Sequence, residues 1–272
     1  QGATAPAMVF VEITPAIPEL EDWRLYDDTG ESGTDKLTND TTPILSFKFT
    51  DRVFGGDNDV TVLDPTGLVL TPAGIDGWGS DTLVVTFENA LTLEGTYLVT
   101  LQGTIEDAAG NQFQGGAPLT LTFRIDVTAP EVTVDPLLTG NASPELTGEV
   151  SDAQATVAVT VGGNTYKAVT DSGDGTWRLA AGVIVPALND GVYDVIATAV
   201  DPAGNTAVDA TKDELVVDLV APVVTVDALE VDDATPALTG TVDDPAASIQ
   251  IRVDGNSYTA ANNGDGTWIL AD

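Results

Sequence analysis

The chain repeats itself at long range. Asp126-Val-Thr-Ala-Pro130, which leads into Glu-Val-Thr-Val-Asp135, returns as Asp218-Leu-Val-Ala-Pro222, which leads into Val-Val-Thr-Val-Asp227. The two prolines stand about 92 residues apart, and many of the residues downstream of each recur at the same spacing. A fixed period of this length marks a tandem array of small domains, each burying its own core. A chain of 272 residues holds two to three of them. Each Asp before Ala-Pro stands where one domain hands over to the next.

Short alternating runs build these domains. Ile44-Leu-Ser-Phe-Lys-Phe49, Leu83-Val-Val-Thr-Phe87 and Tyr97-Leu-Val-Thr-Leu101 have the period of half-buried strands. Gly, Asp, Asn and Pro clusters between them supply turns, and no segment holds a helical period for three turns. In the second domain the expected strands are A at 132–134, B at 145–150, C through Val157, Val159 and Val161, C′ at 165–169, E at 177–179, F at 192–200 and G at 214–217. Seven short strands over about 90 residues, with a core of small aliphatics, predict an immunoglobulin-like sandwich. Tyr97 after Gly95, and Tyr193 after Gly191, suit a tyrosine corner. The fold class is therefore all-β: tandem immunoglobulin-like antiparallel β-sandwiches in a linear array.

The chain divides into four segments. Residues 1–14 read as the last strand of a preceding domain, 15–127 as domain 1 with longer loops, 128–219 as domain 2, and 220–272 as an incomplete domain 3 without strands F and G. The chain reads as a window on a longer array. A sandwich short of two strands exposes edges, so domain 3 is expected to fray unless another chain completes it.

Composition narrows the function. The formal charge is −34, from 43 acidic and 9 basic residues. That excludes nucleic acid and anionic membrane as partners, since both need a basic face. Without cysteine there are neither disulfides nor thiolate metal sites. Without histidine there is no Ser-His triad and no imidazole-bound zinc. No apolar run approaches the ~18–20 residues of a membrane span. An enzyme is not expected; a carboxylate-pair glycosidase has acids to draw on, but nothing marks a cleft.

Strand order decides which acidic loops share an end. The BC loops carry Asp51, Asp152 and Asp244. The FG loops carry Asp107-Ala-Ala-Gly-Asn111 and Asp201-Pro-Ala-Gly-Asn205, and the linkers Asp126 and Asp218 arrive at that same end. Asp174 and Asp265, in Gly-Asp-Gly-Thr turns, fall nearby. Converging carboxylates repel unless a cation sits among them. Ca²⁺ takes six to eight oxygens and suits loosely arranged carboxylate, Asn and carbonyl donors; Mg²⁺ demands a strict octahedron. Asp126, Asp152, Asp201, Asn205, Asp218, Asp244, Asp51, Asp107 and Asn111 are accordingly the expected calcium ligands. The plainer alternative is that Asp, Gly and Asn serve only their turns. The polar loop Asp27 to Asp40, between the first two strand regions, falls at the far end of domain 1, facing domain 2. It offers a further ligand or a solvated loop. Trp177 and Trp268 read as packing residues, and Trp23 and Trp78 have no repeat partners.

These residues carry a resemblance. Thr128-Ala-Pro130, Leu146-Thr-Gly148, Leu238-Thr-Gly240, Asp174-Gly-Thr-Trp177, Asp201-Pro-Ala-Gly-Asn205, and Asp27-Asp-Thr-Gly-Glu-Ser followed by Thr38-Asn-Asp-Thr-Thr-Pro43 resemble the bacterial Ig-like domains of giant RTX-type, biofilm-associated adhesins. The resemblance covers nearly the whole chain. It implies a cell-surface or secreted stalk stiffened by interdomain Ca²⁺, with neighbouring repeats as its partners and any host or biofilm ligand bound elsewhere. Domain 3 lacks the FG loop of that pattern, which bears on Asp218 and Asp244. Two other readings stay open: domain 1, with Trp23 and Trp78, as a glycan- or protein-binding module, and the chain as a strand-exchanging filament subunit.

Overall fold

The computed structural model describes residues 16–26, 28–30, 32–171, 174–209 and 211–272. The strand expected within 1–14 and the carboxylate of Asp27 lie outside these.

Domain 1 contains β1 (Leu20–Tyr26), β2 (Leu37–Thr38), β3 (Ile44–Val53), β4 (Val60–Leu63), β5 (Val69–Leu70), β6 (Gly74–Asp76), β7 (Ser80–Thr86), β8 (Gly95–Leu101) and β9 (Leu119–Ile125). They form two sheets, ordered β1-β3-β7-β6 and β2-β9-β8-β4-β5. Alternation aims Leu45, Phe47 and Phe49 of β3, and Tyr97, Val99 and Leu101 of β8, into one buried core. Phe49 meets Phe113 edge-on at 5.6 Å, and Tyr97 stacks on Phe123 at 5.0 Å. Each such side chain contributes roughly 1.5–3 kcal/mol on full burial.

Domain 2 contains β10 (Leu137–Thr139), β11 (Leu146–Glu149), β12 (Thr156–Val161), β13 (Asn164–Lys167), β14 (Val169–Asp171), β15 (Thr176–Leu179), β16 (Gly191–Tyr193), β17 (Ile196–Val200), β18 (Thr206–Val208) and β19 (Leu215–Val217). Val157, Val159 and Val161 face inward, as their spacing predicts. Three details depart from the strands expected of the sequence. Strand A is reduced to a bridge between Val132 and Val150. The chain then pairs through β10 with β19, and that pairing is parallel, as is β2 with β9 in domain 1. The expected strand F is broken: β16 pairs with β19, whereas β17 pairs with β12 and β18. At the break the Val195 N–H leaves the ladder, and the buried Glu214 carboxylate accepts it at 2.9 Å. A buried donor must find a partner somewhere; here a side chain supplies it.

In domain 3, β20 (Leu238–Thr241), β21 (Ile249–Val253), β22 (Asn256–Asn262) and β23 (Thr267–Leu270) form one sheet, ordered β20-β23-β22-β21, over a small core that includes Trp268 and Val242. Among the described residues, no helix is long and apolar enough to cross a membrane.

Candidate functional site

The two FG loops are near copies. In each, the Asp N–H donates to the Asn carbonyl at 3.0 Å, and the Gly N–H donates to the Asp carbonyl at 3.1 Å. Asp107 Oδ1 accepts the Asn111 backbone N–H at 2.9 Å, and its Oδ2 accepts Asn111 Nδ2 at 2.7 Å. Asp201 takes the same two bonds from Asn205, both at 2.8 Å. Both carboxylates are buried. The Asn111 side-chain amide, then the loop's backbone N–H groups, hold the Asp107 carboxyl below the usual carboxylate range.

Beyond holding itself, the second loop reaches the linker. Asn205 Nδ2 also donates to the Asp126 carbonyl at 2.8 Å. The Asp126 N–H donates in turn to Thr38 O, at 3.0 Å, in domain 1. The linker residue is thus gripped from both sides. The Asp126 carboxylate turns elsewhere, with Oδ2 3.5 Å from the Arg124 guanidinium and Oδ1 accepting Thr128 N–H at 3.3 Å.

The polar loop of domain 1 closes on the same place. Thr29 Oγ1 accepts the Asn39 N–H at 2.9 Å and lies 3.0 Å from the Ala203 carbonyl in domain 2. It also lies 2.7 Å from Asn39 Oδ1, so two acceptors share its one proton. Gly30 lies against Pro202: a Cβ there would fall 2.0 Å from the Pro202 carbonyl oxygen. Beside this contact, Gly30, Gly204 and Asp201 border an open cleft of about 590 Å³, whose other wall is the outer face of β12, β13 and β17. The loop therefore faces domain 2, as strand order predicts. Thr29, Gly30 and Asn39 are not among the site residues that the sequence singles out. Their one signal is length: residues 27–36 have no counterpart ahead of Thr139, although Leu37-Thr38 and Leu138-Thr139 match.

The remaining expected ligands stay apart. Asp152 caps its own turn, its Oδ1 accepting Gln154 N–H at 2.8 Å. Asp244 does likewise for Ala246 N–H at 2.7 Å. Asp218 is exposed and repeats the backbone half of the Asp126 arrangement, donating its N–H to Thr139 O at 2.9 Å. Asp51 is exposed within β3 rather than in a loop, because that strand runs on to Val53. Among the described residues, no group of three or more acidic side chains lies close enough to hold a metal ion. Among the described residues, two carboxylate oxygens are buried without a partner: Glu214 Oε1, inside domain 2, and one at the seam. Asp28 Oδ1, at the base of the Thr29 loop, is buried without a hydrogen bond, while Oδ2 accepts Lys36 N–H at 3.2 Å. Burial pushes the Asp28 carboxyl up, against the Lys36 N–H.

Trp23 and Trp78 both pack against the domain 1 core. Trp23 stacks on Phe47 at 6.1 Å with the Lys36 ammonium 5.0 Å above its ring, and Trp78 is half-buried against the same core. Trp23 therefore does not offer the bare flat face of a sugar platform.

The sequence profile of the bacterial Ig-like domain family matches residues 14–127 and, a second time, 133–219. Among solved structures, the chain is similar to a tetra-tandem repeat from the extending region of a large adhesion protein, at 25% identity and a TM-score of 0.34, over 93% of this chain and 64% of that one. It is also similar to a structure concerned with host cell surface retention of a 1.5-MDa bacterial ice-binding adhesin, at 20% identity and a TM-score of 0.34, over 95% and 87% of the two chains. A third is a Ca²⁺-stabilized adhesin that helps an Antarctic bacterium reach out and bind ice, at 20% identity and a TM-score of 0.30, over 91% and 64%. The chain thus spans just under two thirds of the first of these, 64% of its length. No curated protein matches.

Proposed function

The chain belongs to the bacterial Ig-like domain family, and from that premise we propose that it is a non-enzymatic extender segment of a bacterial surface adhesin, stiffened at its seams and reinforced there by Ca²⁺. The observation that carries this reading is the double grip on Asp126, whose N–H is held by Thr38 and whose carbonyl is held by Asn205. A linker residue pinned by both of its domains has little freedom to act as a hinge.

Calcium is supported more indirectly. The charge of −34 puts many carboxylates at turn positions, and the unpartnered Asp28 oxygen is a ligand atom open to a cation. The ligands we assign at the first seam are Asp126, Asp152, Asp201 and Asn205, with Asp28 added from the loop opposite. Asp107, Asn111 and Asp51 are assigned the same role at the other end of domain 1, and Asp218 and Asp244 at the next seam. The Asp126 carboxylate bonds to Arg124 and Thr128 and that of Asp152 to Gln154, so this assignment requires each to turn toward the ion by side-chain rotation. Extracellular calcium modules bind at about 10⁻⁴ to 10⁻³ M, so millimolar calcium adds roughly 0.4–1.4 kcal/mol per site. The gain is modest at one joint and accumulates along an array. The reading places the chain outside the cell, with neighbouring repeats as its partners and adhesion carried by other regions.

Calorimetric titration of the full chain with Ca²⁺ tests the assignment. Saturable binding in that range, weakened by Asp126→Asn with Asp201→Asn, is the expected result. Titration without heat or saturation removes calcium from the assignment.

A further inference from the structure

We propose that Thr29-Gly30 is a tongue that recognises the Asp-x-Ala-Gly-Asn turn of the following domain, and that this contact, together with the grip on Asp126, fixes the joint between domains 1 and 2 without a metal ion. It deepens the extender reading and rests on it only for its purpose; the contact itself needs no ion.

The fit is one of backbone against backbone. Gly30 has φ +104°, and its missing Cβ is what lets it touch the Pro202 carbonyl. Opposite it, Gly204 has φ +95°, and a Cβ there would fall 3.0 Å from the Gly30 nitrogen and 3.2 Å from its Cα. Two glycines thus face each other: a side chain on Gly30 would clash with the Pro202 carbonyl, and one on Gly204 would crowd the Gly30 backbone. Beside them Thr29 Oγ1 addresses the Ala203 carbonyl, and Thr38 and Asn39 hold that hydroxyl from behind, at 2.9 Å and 2.7 Å. The partner surface is therefore the turn's own main chain, shaped by Ala-Gly.

Two internal comparisons support the assignment. Asp107 to Asn111 forms the same turn, with Gly110 at φ +82° and open space around it, so the turn does not need a tongue to fold. Domain 2 has no such tongue, and the loop that follows its β10, the counterpart of residues 39–43, bends back on its own sandwich. Ala142 O accepts Leu188 N–H at 2.7 Å, Ser143 O accepts Gly182 N–H at 2.9 Å, and the Ser143 hydroxyl donates to Ile184 O at 3.0 Å. Domain 2 has no counterpart of residues 27–36 to present to its successor, and its own Thr139-Gly140 lies against the linker residue Asp218. One joint is consequently latched by protein contacts, while the next depends on its linker and whatever ion it binds.

The absence of cysteine makes the test direct. Spin labels at Glu88→Cys with Val169→Cys report the first joint of the full chain, and Val169→Cys with Ser257→Cys the second; all three positions are exposed. In EGTA the wild-type first-joint distance distribution should stay as narrow as in calcium, while the second broadens. Gly204→Ala and Thr29→Val should each broaden the first joint at least twofold in EGTA, and Thr29→Ser should restore it. Gly110→Ala strains an equivalent turn that meets no tongue, and should leave both joints unchanged. A first joint that is broad in EGTA in the wild type, or no broader in Gly204→Ala than in Gly110→Ala, overturns the latch. Distributions broad at both joints even in calcium would instead overturn the extender reading.

Discussion

The indole N–H of Trp177 donates to the carbonyl of Thr133 at 2.8 Å, and Trp268 repeats the bond to Thr225 at 2.9 Å. Both indoles lie buried across a glycine. A Cβ on Gly148 would fall 2.0 Å from Thr133 O and 2.7 Å from Trp177 Nε1, and one on Gly240 would meet Thr225 and Trp268 at the same distances. The repeated Leu-Thr-Gly and Gly-Thr-Trp motifs are thus two halves of one device, the glycine clearing room for a Trp that holds the reduced first strand. Gly148→Ala should therefore destabilise domain 2 by about 1–3 kcal/mol, the range for forced overpacking. Urea unfolding followed by Trp177 fluorescence checks this; an unchanged midpoint would count against the pairing.

Tyr193 donates its hydroxyl to Asn189 O at 2.9 Å and accepts the Asn189 N–H at 3.1 Å, and Tyr97 donates to Leu93 O at 2.8 Å. Both bonds reach four residues upstream and are tyrosine corners. Tyr193→Phe should cost about 0.5–1.5 kcal/mol in denaturant unfolding, with the strand content by circular dichroism retained. A cost indistinguishable from zero would make the corner incidental.

The FG carboxylate of domain 1 predicts an acid effect with a definite sign. Asp107 has its pKa lowered in the folded chain from an ordinary 3.8, chiefly by the Asn111 amide. Its contribution is therefore complete above about pH 4 and is lost as pH falls through the folded value. Loss of self-repulsion among the many acids acts the other way, so the comparison is between wild type and Asp107→Asn. Their difference in unfolding midpoint should be largest at about pH 6–7 and shrink below about pH 4. A gap that holds constant down to about pH 3 contradicts the assignment.

Asp28 predicts an opposite pattern. Its carboxyl is pushed up by burial, so its ionisation costs stability as pH rises past the ordinary carboxylate range. In EGTA at neutral pH, Asp28→Asn should melt no lower than the wild type. In millimolar calcium the wild type should rise and the variant should not match it. Equal calcium shifts in both would exclude Asp28 as a ligand.

The architecture is legible in the sequence because it is written in periods. The long repeat marks the array, and two-residue alternation places Val157, Val159 and Val161 in the core. Sequence patterns fail wherever the chain leaves a regular ladder. The break in the expected strand F at Val195, repaired by Glu214, has no periodic signature, and neither does the parallel β10–β19 pairing. Charged neighbours make Asp51 read as a loop residue, although β3 carries it along an exposed strand face. For the seam, residue type points to the linker Asp and the FG turn. It does not show that Asp201 spends both oxygens on Asn205, because hydrogen bonds within a loop and ligation of an ion draw on the same residues. The Thr29-Gly30 contact depends on two backbones meeting, which no single segment encodes.

Small-angle scattering of the full chain, in millimolar calcium and again in EGTA, addresses the extender reading most directly. Stiffened seams predict a rod whose maximum dimension is greater in calcium than in EGTA. One identical profile in both conditions, with the breadth of freely jointed beads, would contradict it.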